Sequence, residues 1–343
     1  MSVAPTGSET ETGAATDLPQ NLRRLPVLGA SKEVGILVLL VVLCLAGWAK
    51  NHDFISVVNL QNMAQLVGLY GIFSLGLGII IITGGIDLSV GSAFALLGVL
   101  MAMMLSEHHW PAALAVVAII ALGMGMGTIH GFLITRVGLQ PFIVTLCGLL
   151  LYRGLARFIS HDETKGFGTS HGFEHLRDAA TGSILGVPTP FVILIILSVI
   201  LWIVLHRSIY GRYLFAVGRN EEAARYSGIN ARGIIASAYI LSGALVGIAG
   251  ILIAFYTNSV SPSSHGNFYE LYGIAAAVLG GCSLRGGEGS IIGILIGAAL
   301  LQVLQNLVNL LGIDSSLNFA VMGAVILMGV IADQLFKRRK ARV

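Results

Sequence analysis

Four amides stand at the spacing that stacks side chains on one helical face: Gln302, Gln305, Asn306 and Asn309, at i, i+3, i+4 and i+7. An amide donates and accepts hydrogen bonds together. Such a face can trade bonds with a neutral, hydroxyl-bearing solute, or it can lock one apolar helix to another. Asn59, Asn62 and Gln65 make a shorter stripe of the same kind. A carboxylate, Asp87, sits in Thr83-Gly84-Gly85-Ile86-Asp87-Leu88-Ser89-Val90-Gly91-Ser92, which interrupts two apolar runs. One reading is a turn in which Asp87 or Ser89 caps the next helix. The other is a break at membrane depth beside a path, where irregular backbone is tolerated only if protein or water satisfies it.

Other chemistry-bearing residues point to no reaction. His108, His109, His161, His171 and His175 lack a coordinating spacing with carboxylates or cysteines, so no metal and no cofactor is expected. Cys44, Cys147 and Cys282 lie far apart inside apolar runs and read as small core residues. Arg153 and Arg157, one helical turn apart near the end of an apolar run, are read as snorkelling to an interface.

The elements that must hold these groups are membrane spans. Of 343 residues 55% are hydrophobic and 11% charged, against about 25% charged in a soluble domain. Ten apolar runs are expected to cross, at roughly 34–49, 63–82, 90–105, 111–134, 142–159, 191–205, 234–256, 271–284, 291–313 and 317–331. The fold class is thus all-α and polytopic. Residues 1–30 read as a disordered tail, 31–336 as the transmembrane domain and 337–343 as a basic tail. An even number of crossings puts both termini on one side. Calling that side cytoplasmic places 15 of the 20 Lys and Arg inside, leaving Lys50, Arg153, Arg157, Lys165 and Arg177. The connection 161–190 then faces outward and 206–233 inward.

Within the inward connection, Asn220-Glu221-Glu222-Ala223-Ala224-Arg225-Tyr226 is a short helix with a good N-cap and a stop at Gly228. It needs water or a partner, and its small Ala223 and Ala224 suit close approach to a partner groove. An internal repeat is also visible: Leu69-Tyr70-Gly71-Ile72 returns as Leu271-Tyr272-Gly273-Ile274, an offset that also pairs Gly84-Gly85 with Gly286-Gly287 and Gly91 with Gly293. The sequence leaves open whether the copies run parallel or inverted. Glycines spaced by four, at 123, 127 and 131, at 243 and 247, and at 293 and 297, read as seams of close helix packing.

Together Gly84 to Ser92, Gly211-Arg212, Ala216 to Ile229, Tyr269-Glu270-Leu271, Ala275 to Gly287 and Asn309 to Gly312 resemble the ribose-type permeases of bacterial ABC sugar importers, with departures at Arg219, Tyr272 and Ile294. The resemblance runs from about Val34 to the C-terminus. It implies an inner-membrane permease, a second permease subunit, cytoplasmic ATP-binding subunits and a periplasmic sugar-binding protein. It also implies that Asn220 to Gly228 docks on the ATPase. The chain has no G-x-x-x-x-G-K-[ST] sequence, so ATP hydrolysis must come from a partner. An ion-coupled carrier is the competing class; it calls for ionisable residues in mid-span.

Overall fold

The computed structural model describes residues 27–168 and 172–314, with isolated positions between 317 and 327. The tails at 1–26 and 337–343, His171 and nearly all of the run at 317–331 lie outside the described residues. Among the described residues, eight helices are long and apolar enough to cross a membrane. They are α1 (Val27–Lys50), α2 (Val57–Ile82), α3 (Val90–Ala102, continuing as a π-turn to Glu107), α4 (Ala112–Phe132, with a π-turn to Val137), α5 (Pro141–Ile159), α7 (Thr189–Arg207), α10 (Ala231–Thr257) and α12 (Ile291–Leu310). The run expected at 271–284 forms a shorter helix, α11 (Tyr269–Leu279).

The connection 161–190 is built, not bare. It carries α6 (Glu174–Thr181), the strand β1 (Lys165–Gly166), and a hairpin of β2 (Ser183–Ile184) with β3 (Val187–Pro188). β1 pairs antiparallel with β4 (Ser259–Val260), which follows α10. This defines one end of the bundle. At the opposite end lie α8 (Ile209–Arg219) and α9 (Glu221–Tyr226).

Burial sorts the helices into a centre and a rim. Helix α2 is mostly buried, whereas α1 is mostly exposed. Helices α2, α3 and α10 form the main core around Phe73, Leu75, Phe94 and Leu97, all with no exposed surface. Helices α4, α5 and α7 expose Val117, Phe158 and Ile196; with no water in hydrocarbon, such a rim suits lipid or another apolar subunit. The expected glycine seams exist. Gly123 and Gly243 meet back to back, Gly127 lies against the Tyr239 carbonyl, and Gly280 packs on Gly293.

The two Leu-Tyr-Gly-Ile segments lie side by side and run the same way. Tyr70 and Tyr272 stand 5.5 Å apart by ring centroids, and at the far end a Cβ on Gly286 would come 2.9 Å from the Gly84 nitrogen. The Gly287 N–H donates to the Ile82 carbonyl at 2.8 Å.

Candidate functional site

The α2–α3 break is folded into the bundle. Asp87 is 7% exposed and Ser89 3%. Asp87 Oδ1 accepts from the Ser89 N–H at 2.8 Å and from its hydroxyl at 2.7 Å, an Asx-type turn that starts α3 without a partner chain. Asp87 Oδ2 lies 3.9 Å from Nδ1 of His130 on α4, whose Nε2 is 3.0 Å from the Tyr152 hydroxyl on α5. The Tyr239 hydroxyl on α10 donates to the Ile86 carbonyl at 3.1 Å. The carboxylate therefore holds the turn before α3 and is the centre of a polar cluster drawn from α4, α5 and α10. Counting from the helix ends that face α9, Thr145 on α5, whose hydroxyl donates to the Ile86 carbonyl at 3.4 Å, and Tyr239 on α10 stand roughly 6 and 12 Å inside at 1.5 Å per residue. The cluster therefore lies inside the bundle.

One turn further along α3, two irregular segments meet. Residues 258–268 return from the β4 end without helix, and α11 begins at Tyr269. The Gly266 carbonyl and a carboxylate oxygen of Glu270 fill the space where Gly91 would carry a Cβ. Arg153 turns inward to this point instead of snorkelling. Its guanidinium donates to the carbonyls of His265 at 2.9 Å, Pro262 at 3.0 Å and Gly91 at 3.4 Å. Arg157, one turn on, does reach the surface. Its bonds to Asp162 at 2.6 and 3.0 Å hold that exposed carboxyl below its usual pKa.

The amides divide. Asn306 and Asn59 exchange bonds in both directions, at 2.7 and 3.1 Å, joining α12 to the start of α2. Gln302 is 2% exposed, and its Oε1 has no partner. Gln305 and Gln65 are half-buried, whereas Asn309 and Asn62 are exposed.

At the opposite end, α9 has the expected cap, Asn220 Oδ1 accepting from the Ala223 N–H at 2.9 Å, and ends at Gly228 with φ +82°. Glu221, Glu222, Ala223, Arg225 and Tyr226 are exposed. Ala224 is not: it is 4% exposed and packs with Ile80, Val217 and Tyr239. The expectation that Ala224 meets a partner groove is corrected, because helical periodicity turns it inward, where it seats α9 on the chain's own bundle. Gly218, at the end of α8, presses on the Ile82 carbonyl and lies beside the Gly287 nitrogen. Thus α8, the end of α2 and the 283–289 turn form one joint. The sequence signal for Gly218 was its place in the Val217-Gly218-Arg219 run; for residues 258–268 and Glu270 there was no chemical signal separate from the resemblance.

Span-length apolar helices around a buried break make a polytopic membrane protein of the kind in which transport sites are found. The family model described as "Branched-chain amino acid transport system / permease component" matches residues 59–330. The chain belongs to that family. It is 37% identical over 313 residues to the ribose import permease protein of Bacillus subtilis (strain 168), covering 91% of this chain and 96% of that one. It is 38% identical over 302 residues to the ribose import permease protein of Escherichia coli (strain K12), covering 88% and 93%. To the D-allose transport system permease protein of the same strain it is 31% identical over 301 residues, covering 88% and 91%. No solved structure matches it.

Proposed function

We propose that this chain is the permease subunit of an importer that carries a monosaccharide or a related small polar solute, driven by ATP hydrolysis in partner subunits. The names of the relatives, ribose and allose permeases among them, support the solute class. The absence of a phosphate-cradling motif from the sequence supports a separate ATPase. The single observation that carries the coupling role is α9: a capped, charged helix standing exposed on a joint that reaches α2, α8 and the 283–289 turn. Beside it Arg225, Gly228, Asn230 and Arg232 line a groove of about 320 Å³. A partner pushing on Glu221, Glu222, Ala223, Arg225 and Tyr226 would move that joint. With the α9 end cytoplasmic, the basic residues fall mainly inside, and the β1–β4 end faces a periplasmic binding protein. A second permease subunit would cover part of the apolar rim.

The solute path is assigned to the neighbourhood of the α2–α3 break and of the α12 amides, with Asp87, Asn62, Gln65, Gln302, Gln305, Asn306 and Asn309 as its polar groups. The test is the complex reassembled in proteoliposomes with its ATP-binding and sugar-binding partners. ATP-dependent accumulation of ribose or allose is the expected result. Uptake that ignores ATP and follows an ion gradient would assign the chain to ion-coupled carriers instead.

A further inference from the structure

Two helices begin inside the bundle, and their N-termini face the same point. Counted from the α9-facing ends, Tyr70 on α2 and Arg153 on α5 both stand roughly 18 Å up their helices at 1.5 Å per residue, a little past the middle of a hydrocarbon core about 30 Å thick. Tyr269, the first residue of α11, packs its ring 5.0 Å from Tyr70. Gly91, in the first turn of α3, is bonded by Arg153. Both helix starts therefore lie at this level. Neither α3 nor α11 has a side-chain bond from its own N-cap residue.

The groups gathered here are costly to bury. Glu270 is 8% exposed, and its carboxylate lies against Gly91 in the first turn of α3. One carboxylate thus lies at the first turns of two helices, where the helix dipoles favour negative charge. Arg153 binds three carbonyls from the facing segments. Buried charges of this kind confer little net stability over apolar packing, and in membranes they mark functional places. The contact itself is backbone on backbone, Gly91 against Gly266, so it can part without withdrawing interlocked side chains. His265, 9% exposed, has an Nε2 without a partner. The rings of Tyr70, Phe73, Phe94 and Tyr269 pack around the same point, giving the mix of aromatic walls and few polar groups found in small-molecule sites.

We propose that the α3–α11 junction is the closed constriction of the solute path, held by Arg153 and Glu270, and that a passing sugar's hydroxyls take over the contacts these two side chains make to backbone. The proposal rests on the transport reading and adds the residues that bar the way. Arg153 and Glu270 act as positioning residues in the closed state and as hydroxyl partners in the open one.

The test uses the assembled importer in proteoliposomes loaded with radiolabelled ribose and kept without ATP, so that efflux reports the barrier alone. Arg153→Met keeps the length and loses every donor; Glu270→Gln keeps the shape and loses the charge. Each should raise efflux by about tenfold or more, the change that loss of one charge-assisted bond gives. Arg153→Lys should fall between, and Arg157→Gln, whose bonds lie at the surface, should match the wild type. ATP-driven uptake by the wild type is read separately, so failure of the transport reading appears there and not in the leak. Wild-type efflux from assembled Arg153→Met and Glu270→Gln would overturn the proposal. If Arg153→Met does not assemble, wild-type efflux from Glu270→Gln and Arg153→Lys overturns it equally.

Discussion

Residues 83–92 and 283–290 share a glycine-pair pattern at a fixed offset, and the fold treats them differently. In the second copy the turn stays at the bundle end, with Leu284, Arg285 and Glu288 exposed, and Ser290 capping α12 at 3.5 Å. In the first copy the chain enters the bundle, and α3 starts only after Asp87 and Ser89 are buried. The residue at the second-copy position equivalent to Asp87 is Gly289, which packs on Ile82 and Cys282. A carboxylate that can bond the Ser89 N–H and hydroxyl lets irregular backbone go below the surface, because the backbone's polar groups are then satisfied without water. Where glycine stands instead, the same turn remains where water can reach it. The buried carboxylate of Asp87 is one side chain that sets the two segments apart.

The largest effect is expected where that side chain is removed. Asp87→Leu leaves the Ser89 N–H and hydroxyl without their acceptor and His130 beside an apolar group, and it should cost about 3 kcal/mol. In the other copy Arg285→Ala should change stability by no more than about 0.5 kcal/mol. Thermal unfolding of the purified variants in detergent measures both. Equal losses at the two sites would break the comparison.

A second, smaller effect lies at the joint where both copies touch α8. A Cβ on Gly218 would meet the Ile82 carbonyl and the Gly287 nitrogen, so Gly218→Ala should cost about 2 kcal/mol through backbone displacement. It should also reduce sugar-stimulated ATP hydrolysis of the complex more than Glu221→Ala does, since it moves the joint and not one exposed contact. An ATPase rate unchanged by Gly218→Ala would remove the joint from the coupling account.

The spans, the glycine seams and the capped α9 were legible because each rests on local signals: apolar length, spacing by four, and a cap with a stop. What failed to show depends on distant chain. Arg153 reads as a snorkelling cation on its own helix, and only the carbonyls of Gly91, Pro262 and His265, more than 60 residues away, turn it inward. Residues 258–268, with Ser261-Pro262-Ser263-Ser264-His265-Gly266, have the composition of a surface turn, so their descent to α11 is invisible. Ala224 reads from the sequence as a partner contact because a six-residue helix carries too little periodicity to tell its two faces apart.

The smallest effect concerns the amides. The reciprocal Asn59–Asn306 bonds should give a coupling of about 1 kcal/mol in a double-mutant cycle with leucine at each position. The double variant should assemble normally but transport more slowly, because the path loses polar groups while the packing is made good. Normal transport by the double variant would assign the pair to helix packing alone.

The most direct test of the central claim, that the first break lies closed at depth on the path while its counterpart stays at the surface, is accessibility from the α9 side. Cys44, Cys147 and Cys282 are first replaced, and single cysteines are placed at Leu88 and Leu284 in the assembled importer. A membrane-impermeant thiol reagent should modify Leu284→Cys at rest, and Leu88→Cys only during ATP-driven turnover, more slowly when ribose is present. Equal modification of both at rest, or no modification of Leu88→Cys in turnover, would contradict the account.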